Sequence, residues 1–465
     1  MRVAMEERMR RRITSCIAPV LAVFRIQTRV IGLSAIVFAI AIAATPQLAA
    51  AQPIKMVITG AGSISSVAIS GLKNQGGDDN HQISDAFTTT LQRDLELSGY
   101  FRIVNPHSYI EDPQTSGFEL GQFNFADWRS INADFLVKGA VSGDGTNAKL
   151  TAYFYDVAQQ RRMMGKNFSG GVGDVPRMAR RFADAVLQAT TGIKGPFDSK
   201  LAYASTRAGR FKEIYTQSIE GEELFQLTNN PTINIFPSFD RSGRYLLYLS
   251  YKTMEPALYL ADLQQKRETR IESSHGRTIG GAVSPDGTRI VAAVERGGST
   301  NLFLLTREGE EISQLTDTNG INVSPVFSPD GAQIAFTSDR SGTPQIYVMP
   351  TDGGKAKRLT YSGDYNTTPA FSPAGDKIAY QARHGRFDIF VIPLSGGEPK
   401  QVTDSEGSNE YPTWSPDGRY IAFSSTRGGR SRIYVLMVSA QKVIGPLTEG
   451  KGDDTCPAWS GWLGD

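Results

Sequence analysis

The second half of the chain repeats a short pattern of hydrophobic, turn and polar residues. Pro325-Val-Phe-Ser-Pro-Asp-Gly331 is its clearest copy, with one apolar stretch followed by a turn. Successive copies stand 43 to 45 residues apart. A repeat of this length is typical of solenoids and propellers, in which each copy is one supersecondary unit. The copies begin at Pro237, Gly281, Pro325, Pro369, Pro412 and Pro457.

Each of the five complete copies predicts four short strands, and the copy at Pro457 is a fragment. In the copy at 325, Pro325–Ser328 is the first strand, and Pro329-Asp330-Gly331 has the composition of a tight turn. Ile334–Ser338 alternates as a second strand, Gln345–Met349 forms a third, and Lys357–Thr360 forms the fourth. Four strands per copy predict the blades of a β-propeller.

The two ends of the repeat region predict how the ring closes. Leu201–Ser205, Glu213–Tyr215 and Gln226–Thr228 match second, third and fourth strands, but no first strand precedes them. Pro457–Ser460 is a first strand with nothing after it. Together they make one blade from both ends of the domain, which removes free sheet edges. We therefore predict a six-bladed all-β propeller over residues 197–465, which truncation after Asp454 would open.

The region before the propeller does not repeat. Short alternating runs and amphipathic stretches predict an α/β domain with a mixed sheet over residues 52–196, including a flexible N-terminal segment. Gly192–Gly195 and Pro196 serve as the linker. The expected strands are Lys55–Gly60, Val67–Ser70, Phe101–Val104, Asp134–Val141, Lys149–Asp156 and Arg162–Phe168, and the expected helices are Ser84–Leu95, Ala126–Ile131 and Val175–Thr190.

The first residues have the composition of a leader. A basic region precedes an uncharged apolar run from Val30 to Ala44, and Ala49-Ala50-Ala51 fits a cleavage site. We therefore predict that residues 1–51 are a cleaved signal peptide, and an uncleaved anchor is the alternative. The apolar run is short for a membrane span, which needs about 20 residues. The mature chain is expected to be exported to the periplasm, with no direct membrane span.

Removing the leader changes the charge and leaves one cysteine. Seven arginines and two glutamates lie in residues 1–51, so of 49 basic and 47 acidic residues the mature chain keeps 42 and 45. The resulting net charge of −3 does not favour nucleic-acid binding. Cys456 alone cannot form an internal disulfide. We therefore expect stability to come from hydrophobic cores, and about 410 residues are enough for two domains.

The sequence carries few catalytic or metal-binding signals. Gly-x-Ser-x-Gly does not occur, which disfavours a propeller-gated serine peptidase. His81, His107, His275 and His384 are widely spaced and form no metal motif with each other or with cysteine. We therefore predict a binding protein without enzymatic activity, cofactor or metal.

Two positions of the repeat keep one kind of side chain in every copy. A small polar residue stands three residues before each copy, and a basic residue stands fifteen residues after the start of a copy or at the equivalent place in the split blade. Meander geometry puts both positions on the same face of the disc. We predict a polar ring in the loops between blades and a basic ring in the loops between second and third strands. The polar ring is Asn234, Thr278, Asn322, Asn366, Asn409 and Asp454, and the basic ring is Arg207, Lys252, Arg296, Arg340, His384 and Arg427.

Both rings have a structural interpretation as well as a binding one. An asparagine before a strand often bonds its own backbone, and a basic loop residue can pair with a neighbour such as Asp339. Six basic residues on one face also add to a single field that attracts acidic surfaces. We therefore expect salt-sensitive binding of a protein surface with an acidic part.

The Ser-Pro-Asp-Gly copies, the Leu-Thr strand ends, the split closing blade, the leader and the α/β domain together resemble the TolB family. This resemblance covers essentially the whole mature chain and implies binding of the lipoprotein Pal at the channel mouth. The family often has a histidine and a proline where this chain has Arg277 and Gly281, with His275 displaced. The Pal contacts implied by the resemblance are Arg277, Thr278, Ile279, Gly280, Asn322, Val323 and Ser324, on the face of the polar ring.

The resemblance also implies a second partner and a cellular role. The mature N-terminus, Gln52, Pro53, Ile54 and Lys55, would bind TolA of the inner membrane. Other outer-membrane lipoproteins are further candidate partners, and the protein would act as a monomer. The implied role is outer-membrane invagination at cell division and envelope integrity, with toxin import in some bacteria. The alternatives are a propeller receptor for glycans or peptides, for which only Tyr365 and Tyr411 offer stacking surfaces at the mouth, and a propeller hydrolase.

Overall fold

The computed structural model describes residues 64–78 and 81–464. The predicted leader, the segment Gln52–Lys55 and the strand expected at Lys55–Gly60 lie outside this part of the chain.

The N-terminal region contains one mixed sheet, as predicted. The strands are β1 (Ser65–Ile69), β2 (Lys73–Asn74), β3 (Phe101–Ile103), β4 (Phe135–Gly143), β5 (Asn147–Asp156) and β6 (Arg161–Gly171), and the helices are α1 (Gln82–Leu97), α2 (Phe125–Ser130) and α3 (Val175–Thr191). The order of the strands is β3-β1-β4-β5-β6, and β2 pairs with β4. β1 runs parallel to both β3 and β4, whereas β4, β5 and β6 are antiparallel.

The helices cover the two faces of this sheet. In α3, Phe182 and Val186 stand one turn apart and are fully buried, together with Phe87 and Leu91 of α1. The short α2 buries Trp128 on the opposite face, against a separate apolar cluster. No helix within residues 64–78 and 81–464 is long and apolar enough to cross a membrane.

Six four-stranded antiparallel sheets form the propeller and confirm the predicted blade count. Within each blade the strands follow one another as a meander. The strands are β7 (Lys200–Ser205), β8 (Glu213–Ser218), β9 (Phe225–Gln226), β10 (Asn234–Phe239), β11 (Tyr245–Ser250), β12 (Ala257–Asp262), β13 (Arg267–Ile271), β14 (Arg277–Val283), β15 (Arg289–Arg296), β16 (Ser299–Thr306), β17 (Glu311–Gln314), β18 (Asn322–Phe327), β19 (Gln333–Ser338), β20 (Gln345–Pro350), β21 (Lys357–Arg358), β22 (Asn366–Phe371), β23 (Lys377–His384), β24 (Arg386–Pro393), β25 (Lys400–Gln401), β26 (Asn409–Trp414), β27 (Tyr420–Ser425), β28 (Arg432–Met437), β29 (Lys442–Ile444) and β30 (Asp454–Trp459).

The repeated turn joins the first and second strands of a blade. In the β18–β19 hairpin, the Ser328 hydroxyl donates to Asp330 at 2.5 Å, and the Gly331 amide donates to the Ser328 carbonyl at 2.8 Å. Gly331 has a φ of 71°, which explains the glycine at this position. The first strands of consecutive blades contact one another, so β10, β14, β18, β22, β26 and β30 line the central channel.

The closing blade is assembled from both ends of the domain, in the order β30-β7-β8-β9, as the sequence predicts. Asp454 pairs with Ser205 at one end of this junction and Trp459 pairs with Leu201 at the other. The Trp459 indole also donates a hydrogen bond of 2.8 Å to the Ser199 hydroxyl. The strand Asp454–Trp459 is therefore the innermost strand of the closing blade.

The propeller packs directly against the N-terminal region. The Tyr420 hydroxyl donates to the Ser98 carbonyl at 2.7 Å, just after α1 ends. Beyond β30, the Trp462 indole donates to the Gly195 carbonyl at 2.7 Å, and the Leu463 amide donates to the Asp198 carbonyl at 2.8 Å. The residues after β30 thus form hydrogen bonds with the segment that links the two regions.

Candidate functional site

The candidate site is the channel mouth, defined as the face at which the six inner strands begin. Each inner strand starts with a break in register, for example between Val323 and Val326. Five of the six carry a non-glycine residue at positive φ, a conformation that costs about 1–2 kcal/mol. Such strain and such bulges occur at functional sites. The residues are Phe236, Ser324, Thr368, Tyr411 and Cys456, with φ between 52° and 57°.

These bulges also explain why the predicted first strand began too late. Pairing in β18 starts at Asn322, where Asn322 faces Ser338, and not at Pro325 as expected. In β14 the register breaks between Thr278 and Gly280. Among the bulge residues, Phe236 is exposed and Ser324, Thr368 and Tyr411 are half-buried, whereas Cys456 is buried.

The prediction that the polar ring lies in the loops between blades is wrong. Its six residues lie within the first one or two positions of the inner strands and are at most 3% exposed. Burial leaves these side chains no surface that a partner could contact. The residues concerned are Asn234, Thr278, Asn322, Asn366, Asn409 and Asp454.

The buried polar side chains join each blade to the preceding one. The Asn366 amide donates to Gln345 at 2.9 Å and to the Ser362 carbonyl at 2.8 Å. The Asn322 amide donates to the Thr300 carbonyl at 2.8 Å in the same way. The structural interpretation of this ring therefore holds, but the bonds run to the neighbouring blade and not to the residue's own backbone. Asn234 and Asn409 bond to Glu213 and Asp388 of their preceding blades at the same positions.

At the joint that closes the ring, the residue of the polar ring is a carboxylate, whereas it is an asparagine at four other joints and Thr278 at the fifth. Asp454 is fully buried and accepts from Arg432 at 3.5 Å and from Arg207 at 3.2 Å. Arg432 stands where Gln345 and Asp388 stand in other blades, at the start of the third strand. The last joint is thus a carboxylate held between two guanidinium groups.

Three of the six residues of the basic ring, Arg207, Arg340 and Arg427, bind to neighbouring side chains of the propeller. Arg340 donates to Asn322 at 2.6 Å and to Ser338 at 2.9 Å, and its guanidinium lies over the rings of Phe336 and Tyr347. Burial lowers the pKa of Arg340 from its ordinary value. Arg207 and Arg427 repeat the arrangement over Tyr203–Tyr215 and Phe423–Tyr434.

The other half is more accessible. Lys252 forms an ion pair with Glu268 and lies 3.7 Å from the centre of the Tyr259 ring. Arg296 and His384, at the ends of β15 and β23, are exposed. Arg296 makes no ion pair with any residue that the structure describes. All six residues lie at or just after the ends of the second strands, and most of them are paired with neighbouring side chains.

The two segments singled out by the family resemblance lie side by side. Ile279 of β14 and Val323 of β18 both pack on the apolar cluster between these adjacent blades. Arg277 is half exposed and pairs with Glu295 at 2.5 Å and Glu255 at 3.0 Å, which raises its pKa. The exposed patch is therefore mixed in charge. Its accessible or half-buried residues are Arg277, Ile279, Gly280, Val323 and Ser324, whereas Thr278 and Asn322 are buried.

The mouth also carries an aromatic pair that the sequence pattern did not reveal. Phe236 is 38% exposed, and its ring centre lies 5.9 Å from that of Tyr411. The displaced His275 instead stacks on Phe303 at 4.9 Å and bonds to Glu311 at 2.6 Å. Among the residues described, no three His, Cys, Asp or Glu side chains are grouped as ligands for a metal ion.

Two family models match the chain. The model described as the TolB beta propeller domain matches residues 187–461, and the model described as the TolB amino-terminal domain matches residues 55–163. The first of these matches alone covers more than half of the chain.

Curated relatives carry one shared description, "Tol-Pal system protein TolB". The relative from Desulfosudis oleivorans is 39% identical over 222 residues, which is 48% of this chain and 50% of that protein. The relative from Geobacter metallireducens is 38% identical over 169 residues, or 36% and 38% of the two chains. The matched part thus spans half or less of these relatives' lengths. The crystal structure of TolB from Acinetobacter baumannii shares the fold, with a TM-score of 0.70, 22% identity, and coverage of 87% of this chain and 98% of that one.

Proposed function

The chain belongs to the TolB family of Tol–Pal system proteins, and on this premise we propose that it is a periplasmic component which binds other proteins and catalyses no reaction. The observation that carries this proposal is the bulged channel mouth, where two exposed segments of adjacent blades meet. Irregular strand ends on a rigid scaffold are typical of binding surfaces.

The proposed Pal-binding surface consists of Arg277, Ile279, Gly280, Val323 and Ser324. Ile279 and Val323 supply apolar contact area next to an exposed charged residue. Thr278 and Asn322 do not contact the partner themselves. Their buried hydrogen bonds to the preceding blade fix the starts of β14 and β18, which carry the contact residues.

Salt-sensitive binding of an acidic protein surface would depend on only a part of the basic residues at the mouth. Arg277 is already paired with Glu255 and Glu295, and Arg340 is held by Asn322. Arg296 remains as an exposed cation near the mouth, so we propose that it contributes most of the salt-sensitive attraction.

The link to the inner membrane is proposed for the mature N-terminal segment. By family membership, Gln52–Lys55 would bind TolA and so connect it with Pal at the outer membrane. This role would support envelope invagination at division and envelope integrity, with other lipoproteins as further partners and possible use in toxin import. The proposal also places the protein in the periplasm as a monomer.

The test is a calorimetric titration of residues 52–465 with the soluble domain of Pal from the same organism. Gly280→Trp introduces a large side chain at a mouth position where an added Cβ has no atom within 4 Å. Gly173→Trp is the matched control, because it is equally open but lies in the N-terminal region. We expect one-to-one binding that weakens at least tenfold in Gly280→Trp and not in Gly173→Trp. Equal binding by both variants would place the Pal surface elsewhere.

A second candidate function rests on the aromatic pair at the mouth. Phe236 and Tyr411 could stack against a sugar ring or an aromatic side chain of a small ligand. If Pal does not bind at low or moderate salt, while short oligosaccharides or peptides bind and Phe236→Ala abolishes that binding, the glycan or peptide receptor becomes the better assignment.

A further inference from the structure

One turn of the propeller reaches into the N-terminal region and carries three acidic residues. This turn joins β8 to β9, and two of its carboxylates, Glu220 and Glu223, pair with Arg180 of α3. The third, Glu222, pairs with Arg93 of α1. The Arg180 and Glu220 side chains are only 3% and 2% exposed, so their ion pair is cut off from solvent.

A further carboxyl group is enclosed at the same junction. Asp94 of α1 is fully buried, and neither of its side-chain oxygens has a hydrogen-bond partner among the residues described. One oxygen of Glu220 is likewise buried without a partner. A buried carboxylate without a partner is strongly unfavourable, whereas a neutral carboxyl group can be accommodated.

The charges around Asp94 favour its neutral form. It faces Glu220 from the propeller turn, and Arg180 and Asp184 from α3. Arg180 is the only cation of this set and is already shared between Glu220 and Glu223. Burial first, and the Glu220 carboxylate second, hold the pKa of Asp94 well above its usual range.

We propose that the junction of the two regions is a proton-controlled clasp, in which the β8–β9 turn docks on α1 and α3 only while Asp94 is protonated. The clasp comprises Arg93, Asp94, Arg180, Glu220, Glu222 and Glu223. When Asp94 releases its proton to solvent, its new charge faces Glu220 and Asp184 without a free cation. The turn then moves away from α1 or admits water, and the contact between the two regions weakens.

The sign of the effect follows from the raised pKa. The contribution of Asp94 to docking is complete at low pH and is lost as the pH rises through its pKa in the docked state. The same helix end makes the Tyr420–Ser98 hydrogen bond four residues later, so weakening at Asp94 extends to that contact. The mobility of the propeller relative to the N-terminal region is therefore set by pH.

The test is hydrogen exchange of the mature chain, residues 52–465, at pH 5.5 and pH 8.5, with exchange times corrected for intrinsic rates. We expect protection of residues 219–225 to fall at least tenfold at the higher pH. Asp94→Asn and Asp94→Leu are neutral at both pH values and should keep the turn equally protected at both.

The control variant is Asp184→Asn, because Asp184 also has a raised pKa, about 8, and lies on the neighbouring helix. We expect this variant to keep the loss of protection at residues 219–225. The clasp is refuted if the turn of the unsubstituted protein is equally protected at both pH values, or if Asp184→Asn removes the response while Asp94→Asn retains it. It is also refuted if neither neutral variant at position 94 folds at pH 5.5.

Discussion

Removal of the Asp454 side chain should lower the free energy of unfolding more than removal of any other side chain of the polar ring. Asp454 is fully buried and lies between Arg207 and Arg432, whose side chains are 16% and 12% exposed. Asp454→Ala would leave both guanidinium groups enclosed without their carboxylate. Breaking a buried ion pair in this way typically costs about 3–5 kcal/mol.

The comparison with a joint whose own ring residue is uncharged separates this effect from simple loss of a buried polar group. At the preceding joint, Asn409 bonds to Asp388 at 2.9 Å and accepts from Arg427 at 3.2 Å. Asn409→Ala should cost about 1–3 kcal/mol, the range for leaving buried partners unsatisfied. Asp454→Asn introduces the side chain that four of the other joints have. Its loss of stability should fall between those of the two alanine variants, since its amide oxygen still accepts from one guanidinium.

The assay is urea unfolding followed by tryptophan fluorescence, because Trp459 lies in the closing strand and Trp462 in the tail that follows it. The unfolding midpoint of Asp454→Ala should lie clearly below that of Asn409→Ala, with similar slopes. If the two variants have the same midpoint, the closing joint is no stronger than the others and the argument from its charges fails.

Two further predictions concern the junction of the two regions. Gly99→Ala should lower the free energy of unfolding by about 1–2 kcal/mol, because Gly99 has a φ of 70° and a Cβ there would lie 2.3 Å from the Met437 methyl group; a thermal midpoint unchanged from the unsubstituted protein would contradict this. Burial raises the pKa of Asp184 to about 8, so its contribution to stability is complete below pH 4 and is lost as the pH rises to about 8. The thermal midpoint of Asp184→Asn should therefore fall less between pH 5 and pH 8 than that of the unsubstituted protein, and parallel curves would exclude this assignment.

The architecture could be predicted because it depends on local signals that recur. The Pro329-Asp330-Gly331 turn and its counterparts, each of which ends in glycine, indicate a hairpin in every complete copy. The unmatched strands at 201–205 and 457–460 indicate one blade shared between the two ends of the domain. Both features follow from strand and turn chemistry alone, and the structure confirms them.

The polar ring was misplaced because its partners are distant in sequence. Asn366 bonds to Gln345, which lies in the preceding blade, and a polar residue before an apolar run looks the same whether it faces solvent or a neighbouring sheet. The bulges were missed for a different reason. Phe236, Ser324 and Cys456 occupy equivalent positions but have no chemistry in common, so nothing in the sequence marks their backbone conformation.

The burial of Asp94 could not be predicted from the sequence of its own helix. It stands between Leu91 and Leu95 on α1, and its burial depends on the approach of the Glu220 turn from the propeller. Only a contact between two separately predicted regions makes this carboxyl group unusual.

The closing blade combines the last strand of the propeller with its first three, so the ring can close only after the other blades have been synthesised. A ribosome releases β7 before the five complete blades, but its pairing partner β30 follows after all of them. Until β30 has emerged, β7 therefore presents an unpaired edge. Five blades can form in sequence, yet the ring stays open until Asp454–Trp459 has been made. A prematurely terminated chain would keep the unpaired edge of β7, which can pair with other chains and is recognised by chaperones and proteases.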